Sequence, residues 1–180
     1  MRFQPYCAQG YPLWQCTLPI RVMKLLGVKL LVVSNAVGGL NPTYNVGDIM
    51  LVKDHINMFG LSGESPLRGP NDESFGPRFF SVNNLYDARW REAAVEAAER
   101  VGGRAILVSP LIRSSAQVGI SSTLHQGILT MSGGPNYESV AELKMFSMLG
   151  VDCVGMSSIP ECLTAHHCGS TISPLILTSS

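Results

Sequence analysis

Short apolar runs of strand length alternate along the chain with longer amphipathic stretches of helix length, separated by glycines and small polar residues. The runs that predict strands are 29–33, 49–52, 127–132 and 152–156. The stretches that predict helices are 18–26, 85–101, about 140–149 and about 159–167. This alternation of predicted strands and helices indicates an α/β fold. The continuous apolar run at 29–33 predicts a strand buried on both faces.

Two of the predicted helices carry a sequence signal at their start. Ser139 and Glu142 have the spacing of a capping box, in which a serine side chain and a glutamate side chain each bind a free backbone N–H group. Ser158 and Glu161 repeat that spacing, and Pro160 suits the first helical turn. We therefore expect both helices to begin with reciprocal side-chain caps.

Three predicted strands end in small polar loops, at 35–39, 133–138 and 155–158. In an open α/β sheet, ligands bind beyond the carboxyl ends of the strands, so these loops are expected to converge on one pocket. Free N–H groups and Ser157 at a helix start suit an anion such as phosphate. The alternative is that Ser157 and Ser158 are only caps.

Two further features have a functional and a structural interpretation. Glu138 is either a solvated carboxylate in a first helical turn or an acceptor for a ligand's N–H groups, with Tyr137 beside it to pack on a flat ring. The segment 57–83, rich in Gly, Pro, Ser and Phe, is either a functional or interface loop or a variable surface loop. The residue pattern leaves both questions open.

Two cysteines and two histidines near the end of the chain suggest metal binding by their residue types, but their spacing argues against it. The group comprises Cys162, His166, His167 and Cys168. Sequential histidines point in different directions on a helix, and no second ligand pair at zinc spacing follows. We therefore expect no metal, with the cysteines as small core residues and the histidines at a helix C-terminus. No structure is assigned to 104–123.

Composition and charge exclude several functions. Of the 180 residues, 46% are hydrophobic and 14% charged, with thirteen basic and thirteen acidic side chains. Without a basic run, neither nucleic acid nor an anionic membrane is an expected partner. No apolar stretch approaches the roughly 20 residues of a membrane helix, and no signal-peptide core follows Met1. The five cysteines lack a C-x-x-C spacing, which predicts reduced thiols and a cytoplasmic protein.

Seven segments, taken in order, resemble the trimeric purine nucleoside phosphorylases. They are 10–14 (GYPLW), 33–42 (VSNAVGGLNP), 46–50 (VGDIM), 54–57 (DHIN), 66–72 (PLRGPND), 134–138 (GPNYE) and 154–157 (VGMS). The resemblance covers about 10–102 and 124–169. It implies a three-layer α/β/α fold with a mixed central β-sheet, of which residues 1–180 form a single partial domain. It also implies phosphorolysis of purine nucleosides by inorganic phosphate, in a homotrimer without metal or organic cofactor.

The resemblance also assigns roles to individual residues. Glu138 would accept hydrogen bonds from the purine and act in catalysis, with Tyr137 and Val154 near the base and Met156 along the sugar. Phosphate would be held by the backbone of Ala36, by Ser157 and by Arg2. Phe79 matches an aromatic residue that a neighbouring subunit donates to the sugar site, which would make 57–83 an interface element.

The chain departs from the family pattern at both ends. The family's first strand and glycine-serine phosphate loop would precede Met1, and Gln4 stands where a phosphate-site histidine is expected. No asparagine follows Gly169 to bind the leaving purine. These departures are expected of a truncated chain, so the alternative function is a non-catalytic isoform or subunit that binds or oligomerises without turnover. A nucleotide-binding regulatory module is disfavoured because no P-loop or G-x-G-x-x-G motif occurs.

Overall fold

The computed structural model describes residues 10–100 and 124–178, with the backbone alone for 173–178. Arg2 and the unassigned residues 104–123 lie outside these ranges. The helices in the described ranges are α1 (Leu13–Cys16), α2 (Leu18–Leu25), α3 (Met58–Leu61), α4 (Ala88–Arg100), α5 (Val140–Met148) and α6 (Ile159–His167). The strands are β1 (Leu30–Gly39), β2 (Ile49–Asn57), β3 (Leu124–Met131), β4 (Cys153–Gly155) and β5 (Thr171–Thr178).

The five strands form one mixed sheet that closes on itself in the order β1-β4-β3-β2-β5. The pairs β1/β5, β2/β3 and β3/β4 are parallel, whereas β1/β4 and β2/β5 are antiparallel. The mixed sheet implied by the resemblance is therefore confirmed. Its closure was not predicted, because strand pairing between distant segments leaves no local signal in the sequence.

Helices pack on the two faces of the sheet, and neighbouring strand residues show this directly. Cys153 belongs to a large core cluster that includes Ile159 and Cys162 of α6. The next residue of β4, Val154, belongs to a smaller cluster with Phe146 of α5. Since successive side chains of a strand point to opposite faces, α6 and α5 cover different sides of the sheet. This is the three-layer arrangement expected for the fold.

Strand β1 differs from its prediction in both length and burial. The sequence predicts a strand at 29–33 followed by a polar loop, but β1 continues to Gly39. The extension forms because residues 30–37 pair in parallel with residues 171–178 of β5. The expectation that both faces are buried is also wrong, since 62% of Val32 is exposed.

Most predicted helices are confirmed, but α4 packs less closely than its pattern indicates. Its bounds agree with the predicted 85–101, yet no described residue of α4 is buried, and Trp90 on its apolar face is 40% exposed. In α5, the capping box of Ser139 and Glu142 is confirmed in both of its hydrogen bonds. None of the helices within 10–100 and 124–178 is long and apolar enough to cross a membrane.

Candidate active site at the ends of β3 and β4

A hydrogen bond joins the middle of β1 to the loop that follows β4. Asn35 Nδ2 donates to Ser157 Oγ over 2.9 Å, although 122 positions separate the two residues. Gly155 permits this approach, because a Cβ atom there would lie 2.8 Å from Val37 Cγ1 and 3.3 Å from Asn35 Nδ2. Any larger residue at 155 would force β1 and β4 apart.

The loop after β3 packs against the same end of β4. Met131 lies in register with Gly155, and the Ser132 amide donates to the Gly155 carbonyl over 3.0 Å. Gly134 has a φ of +57°, and a Cβ atom at that position would lie 2.6 Å from Met156 Sδ. The glycine therefore allows the loop 133–138 to lie directly on Met156.

Glu138 is held at this edge of the sheet by a side chain of the strand end. Its half-buried carboxylate accepts a hydrogen bond from Ser132 Oγ. Ser132 in turn is bonded through its backbone to Gly155, two residues before Ser157. The structure thus brings Glu138, Met156 and Ser157 together at one edge, as predicted for the loops after β3 and β4.

Only part of the third predicted loop, 35–39, lies near Ser157 and the loop after β3. Because β1 runs antiparallel to β4, its carboxyl end lies at the other edge, where the amides of Leu40 and Asn41 donate to the Asp152 carbonyl over 2.8 and 3.1 Å. The expectation that all of 35–39 surrounds the pocket is therefore wrong. Asn35 contacts the site from mid-strand, and the neighbouring Ala36 pairs with Leu177 of β5.

The remaining predicted site residues lie in different surroundings. Tyr137 and Phe79 are 86% and 88% exposed, so both rings are free to meet a ligand or another chain. Val154 is 5% exposed and packs in the cluster with Phe146. Arg2 is not among the described residues, so its role stays a prediction.

The start of α6 overturns one prediction from the sequence. Ser158 has a φ of +85° and its side chain makes no capping hydrogen bond, so the expected serine half of the second capping box is absent. Glu161 is 5% exposed. Burial raises the pKa of its carboxyl group to about 7, and hydrogen bonds from the amides of Glu161 and Ser158 act in the opposite direction.

Three buried polar atoms around this edge have no hydrogen-bond partner within the described part of the chain. They are Asn35 Oδ1, Ser158 Oγ and Glu161 Oε2. Buried polar atoms are normally paired in folded proteins, and exceptions often mark places where a ligand or water completes the network. The edge therefore has unused hydrogen-bonding capacity next to the Ser157 hydroxyl.

The cysteines in and directly after α6 are buried in the core, and His166 of α6 contacts a loop. Cys162 is 1% and Cys168 2% exposed, and His166 Nε2 lies 3.0 Å from the Ser81 carbonyl oxygen. Burial raises the pKa of the Cys162 thiol, which keeps it protonated. No cluster of three or more metal-binding side chains is present within 10–100 and 124–178.

Sequence reasoning gave no individual site role to three residues of this edge, although Asn35 belongs to one of the predicted pocket loops. Asn35 interrupts an apolar run, and Ser132 ends one, so a polar residue at a strand position was the available signal. Glu161 gave no signal beyond its capping-box spacing, because its burial depends on how α6 packs against the sheet.

The chain and its fold match known proteins. Residues 4–178 match the model of the phosphorylase superfamily, and the chain belongs to that family. It is 50% identical over 170 residues to a purine nucleoside phosphorylase of Anopheles gambiae, covering 94% of this chain and 43% of that protein. It is 48% identical over 168 residues to the Bos taurus purine nucleoside phosphorylase, covering 93% of this chain and 52% of that protein.

A solved structure shows the same similarity in three dimensions. A Schistosoma purine nucleoside phosphorylase in complex with guanosine superimposes with a TM-score of 0.83 at 44% identity, covering 96% of this chain and 60% of that one. The chain thus spans about half the length of the relatives that it matches.

Proposed function

We propose that this protein is a purine nucleoside phosphorylase, which converts purine ribonucleosides and deoxyribonucleosides and inorganic phosphate into free base and pentose 1-phosphate. The observation that carries the proposal is the meeting of Glu138 and Ser157 at one edge of the sheet, linked through Ser132 and Gly155. The similarity to a guanosine-bound phosphorylase supports a purine nucleoside as the substrate.

The reaction makes two electrostatic demands that this edge can meet. As the glycosidic bond breaks, the sugar gains cationic character and the bonding electrons leave with the purine. Glu138 would accept a hydrogen bond from an N–H group of the purine and so orient the leaving group. Its bond from Ser132 holds one carboxylate oxygen and leaves Oε2 for the base. The exposed Tyr137 ring lies beside Glu138 in the chain, ready to pack on the base.

Phosphate would attack the sugar carbon from the side on which Ser157 lies. The Ser157 hydroxyl accepts from Asn35 Nδ2, which leaves its own proton to donate to a phosphate oxygen. The Ala36 backbone, next to Asn35, and Arg2 would complete the anion contacts. Met156, between the two loops, would lie along the sugar, and Val154 would support the base from beneath.

The proposal includes a homotrimer without metal or organic cofactor, acting in the cytoplasm. Phe79 is almost fully exposed on its own subunit, which supports its donation to a neighbouring sugar site. Cys153, Cys162 and Cys168 form no disulfide within the described part of the chain, as suits a reducing compartment.

Inosine turnover in phosphate, followed by coupled oxidation of the released hypoxanthine, tests the activity. Glu138→Gln should lower kcat/KM by about 10²- to 10³-fold, because a hydrogen bond that orients the leaving group is lost. Ser157→Ala should act mainly on the KM for phosphate. Glu142→Gln is the matched control: this carboxylate caps α5 four positions away, and its loss should leave kcat/KM within about twofold.

The same assay separates the proposed activity from its alternative. Calorimetric binding of hypoxanthine and phosphate without any turnover at high protein concentration would show the non-catalytic isoform instead. Absence of both binding and turnover would refute the site itself. Equal losses in the Glu138 and Glu142 variants would show that Glu138 has no special role.

A further inference from the structure

The end of α6 lies against the segment 57–83 at two backbone positions. His166 Nε2 lies 3.0 Å from the Ser81 carbonyl oxygen, and because a carbonyl oxygen only accepts, this ring nitrogen carries a proton and donates it. The backbone at Gly76 lies on the carbonyl group of His167, since a Cβ atom there would be 2.0 Å from that oxygen. The last turn of the helix therefore fixes the stretch between these two positions.

Within that stretch, two neighbouring phenylalanines have opposite surroundings. The ring of Phe80 is half-buried, and its centroid lies 5.8 Å from that of the His166 ring and 5.4 Å from that of the His167 ring. The ring of Phe79 is 88% exposed. The contacts that pack Phe80 against the helix thus fix the place from which Phe79 projects into solvent.

A fixed and exposed aromatic ring suits contact with another chain. Neither helix nor strand occurs in the described residues 62–83, so contacts such as that of His166 must supply the order of this segment. A large aromatic ring gains much apolar contact when an interface buries it. A segment that is ordered beforehand also loses less conformational entropy when its partner binds.

We propose that His166 is a positioning residue for the sugar site of a neighbouring subunit: through the Ser81 carbonyl it fixes the segment from which Phe79 reaches the neighbour. This inference rests on the proposed function, in which Phe79 is donated between the subunits of a trimer. Replacing His166 should therefore weaken nucleoside binding at the neighbour's site. The site formed by its own Glu138 and Ser157 should stay intact.

Limited trypsin digestion tests the contact without any substrate. Trypsin cleaves after Arg78, which is exposed and directly precedes Phe79. His166→Ala should speed this cleavage by about fivefold, because a hydrogen bond that fixes the segment is lost. His166→Gln keeps an N–H donor on a side chain of similar length and should be cleaved as the natural chain is. Cleavage after the exposed Lys144 of α5 controls for general unfolding and should not change in either variant.

Steady-state kinetics with inosine and phosphate test the positioning role. His166→Ala should raise the KM for inosine by about fivefold and leave the KM for phosphate within about twofold. His166→Gln should keep the KM for inosine within about twofold of the natural value. Phe79→Ala removes the ring itself and should raise the KM for inosine at least as much as His166→Ala does.

Mixed trimers separate an effect on the neighbour from an effect on the same chain. Chains carrying His166→Ala are co-expressed with an excess of chains carrying Glu138→Gln. Most of the sites with an intact Glu138 then receive Phe79 from a chain with an intact His166, so the KM for inosine should return to the natural value. The same mixture made with Phe79→Ala chains should recover in the same way.

The results distinguish the positioning role from the proposed function. Unchanged cleavage after Arg78 in His166→Ala, or a raised KM for inosine that mixing does not restore, would overturn the positioning role. So would an unchanged KM for inosine in His166→Ala; if Phe79→Ala left it unchanged as well, the donation of Phe79 would fail too. If the natural chain did not convert inosine at all, the proposed function would fail, and cleavage after Arg78 would still decide whether His166 fixes the segment.

Discussion

The edge of the sheet where β2, β3 and β4 begin differs from the edge where β3 and β4 end in how completely its buried polar groups are hydrogen-bonded. At the supporting edge, where β2, β3 and β4 begin, Asp48 accepts from the Asn45 amide over 2.8 Å and lies 2.9 Å from His125 Nε2. The His125 ring stacks on Tyr44 at 4.0 Å between centroids. This carboxylate is 1% exposed and fully engaged within the chain.

Asp152 repeats this arrangement before β4. One of its carboxylate oxygens accepts from Asn41 Nδ2 and the other from the Ile128 amide, both over 2.8 Å. The supporting edge therefore ties the strand beginnings together with hydrogen-bonded carboxylates.

At the site edge, where β3 and β4 end, the pairing is incomplete. Asn35, Ser158 and Glu161 each keep one buried polar atom without a partner among the described residues. Unpaired buried polar atoms are uncommon in folded proteins and often mark a place that a ligand or water completes. Arg91 and His167 also keep such atoms, away from this edge, among the described residues. The comparison indicates that one edge maintains the sheet and that the other is shaped for a ligand.

The largest expected effect of a substitution is at the supporting edge. Asp152→Ala should lower the free energy of unfolding by about 3 kcal/mol, because the Asn41 amide group and the Ile128 N–H group both lose a charged acceptor. Asn35→Ala, the matched change at the site edge, should cost only about 1 kcal/mol while weakening phosphate binding. Urea unfolding measures both. Equal losses of stability would contradict the division between the edges.

A second prediction concerns how the free energy of unfolding changes with pH. The raised pKa of Glu161 determines the direction of that change. Its pKa rises from 4.5 to about 7 on folding, so the folded state holds the proton more tightly than the unfolded chain. The stability that this proton contributes is complete below pH 4.5 and is lost as the pH rises through about 7. Between about pH 5 and about pH 8, the natural chain should lose about 2 to 3 kcal/mol from this group.

The measurement is the difference in unfolding free energy between the natural chain and Glu161→Gln across this pH range. The variant lacks the titrating group, so its free energy of unfolding should increase relative to that of the natural chain as the pH rises. The pKa values of His55 and His167 are lowered by burial, but both groups are present in each protein and cancel in the difference. A difference independent of pH would show that Glu161 is ionised throughout.

Local patterns in the sequence predicted the elements well and their long-range pairing poorly. The apolar runs gave β2, β3 and β4, and the Ser139 capping box gave the start of α5. The polar, glycine-rich stretch 34–39 indicated a loop, yet it is strand because β5, more than a hundred residues away, pairs with it. Backbone hydrogen bonds to a distant strand outweigh local propensity, and one sequence does not reveal such pairing.

The site shows the same division between local and tertiary information. Glu138 and Ser157 stood out because both follow strands in small polar loops. Glu161 did not stand out as a site residue, since the pattern Ser-x-x-Glu occurs at the exposed start of α5 and at the buried start of α6. The pattern is identical, and only tertiary packing distinguishes the reciprocal cap of α5 from the left-handed turn at Ser158, whose side chain makes no cap.

The smallest effects should come from the two serines of these patterns. Ser139→Ala removes a cap in which Ser139 Oγ accepts from the Glu142 amide, and it should cost about 1 kcal/mol. Ser158→Gly removes a hydroxyl group that has no partner among the described residues and relieves a positive φ, so it should leave stability unchanged or raise it by up to about 1 kcal/mol. Thermal unfolding at one pH compares the two variants directly. If Ser158→Gly were as destabilising as Ser139→Ala, the Ser158 side chain would be a cap after all, and the incomplete pairing at the site edge would lose one of its three supports.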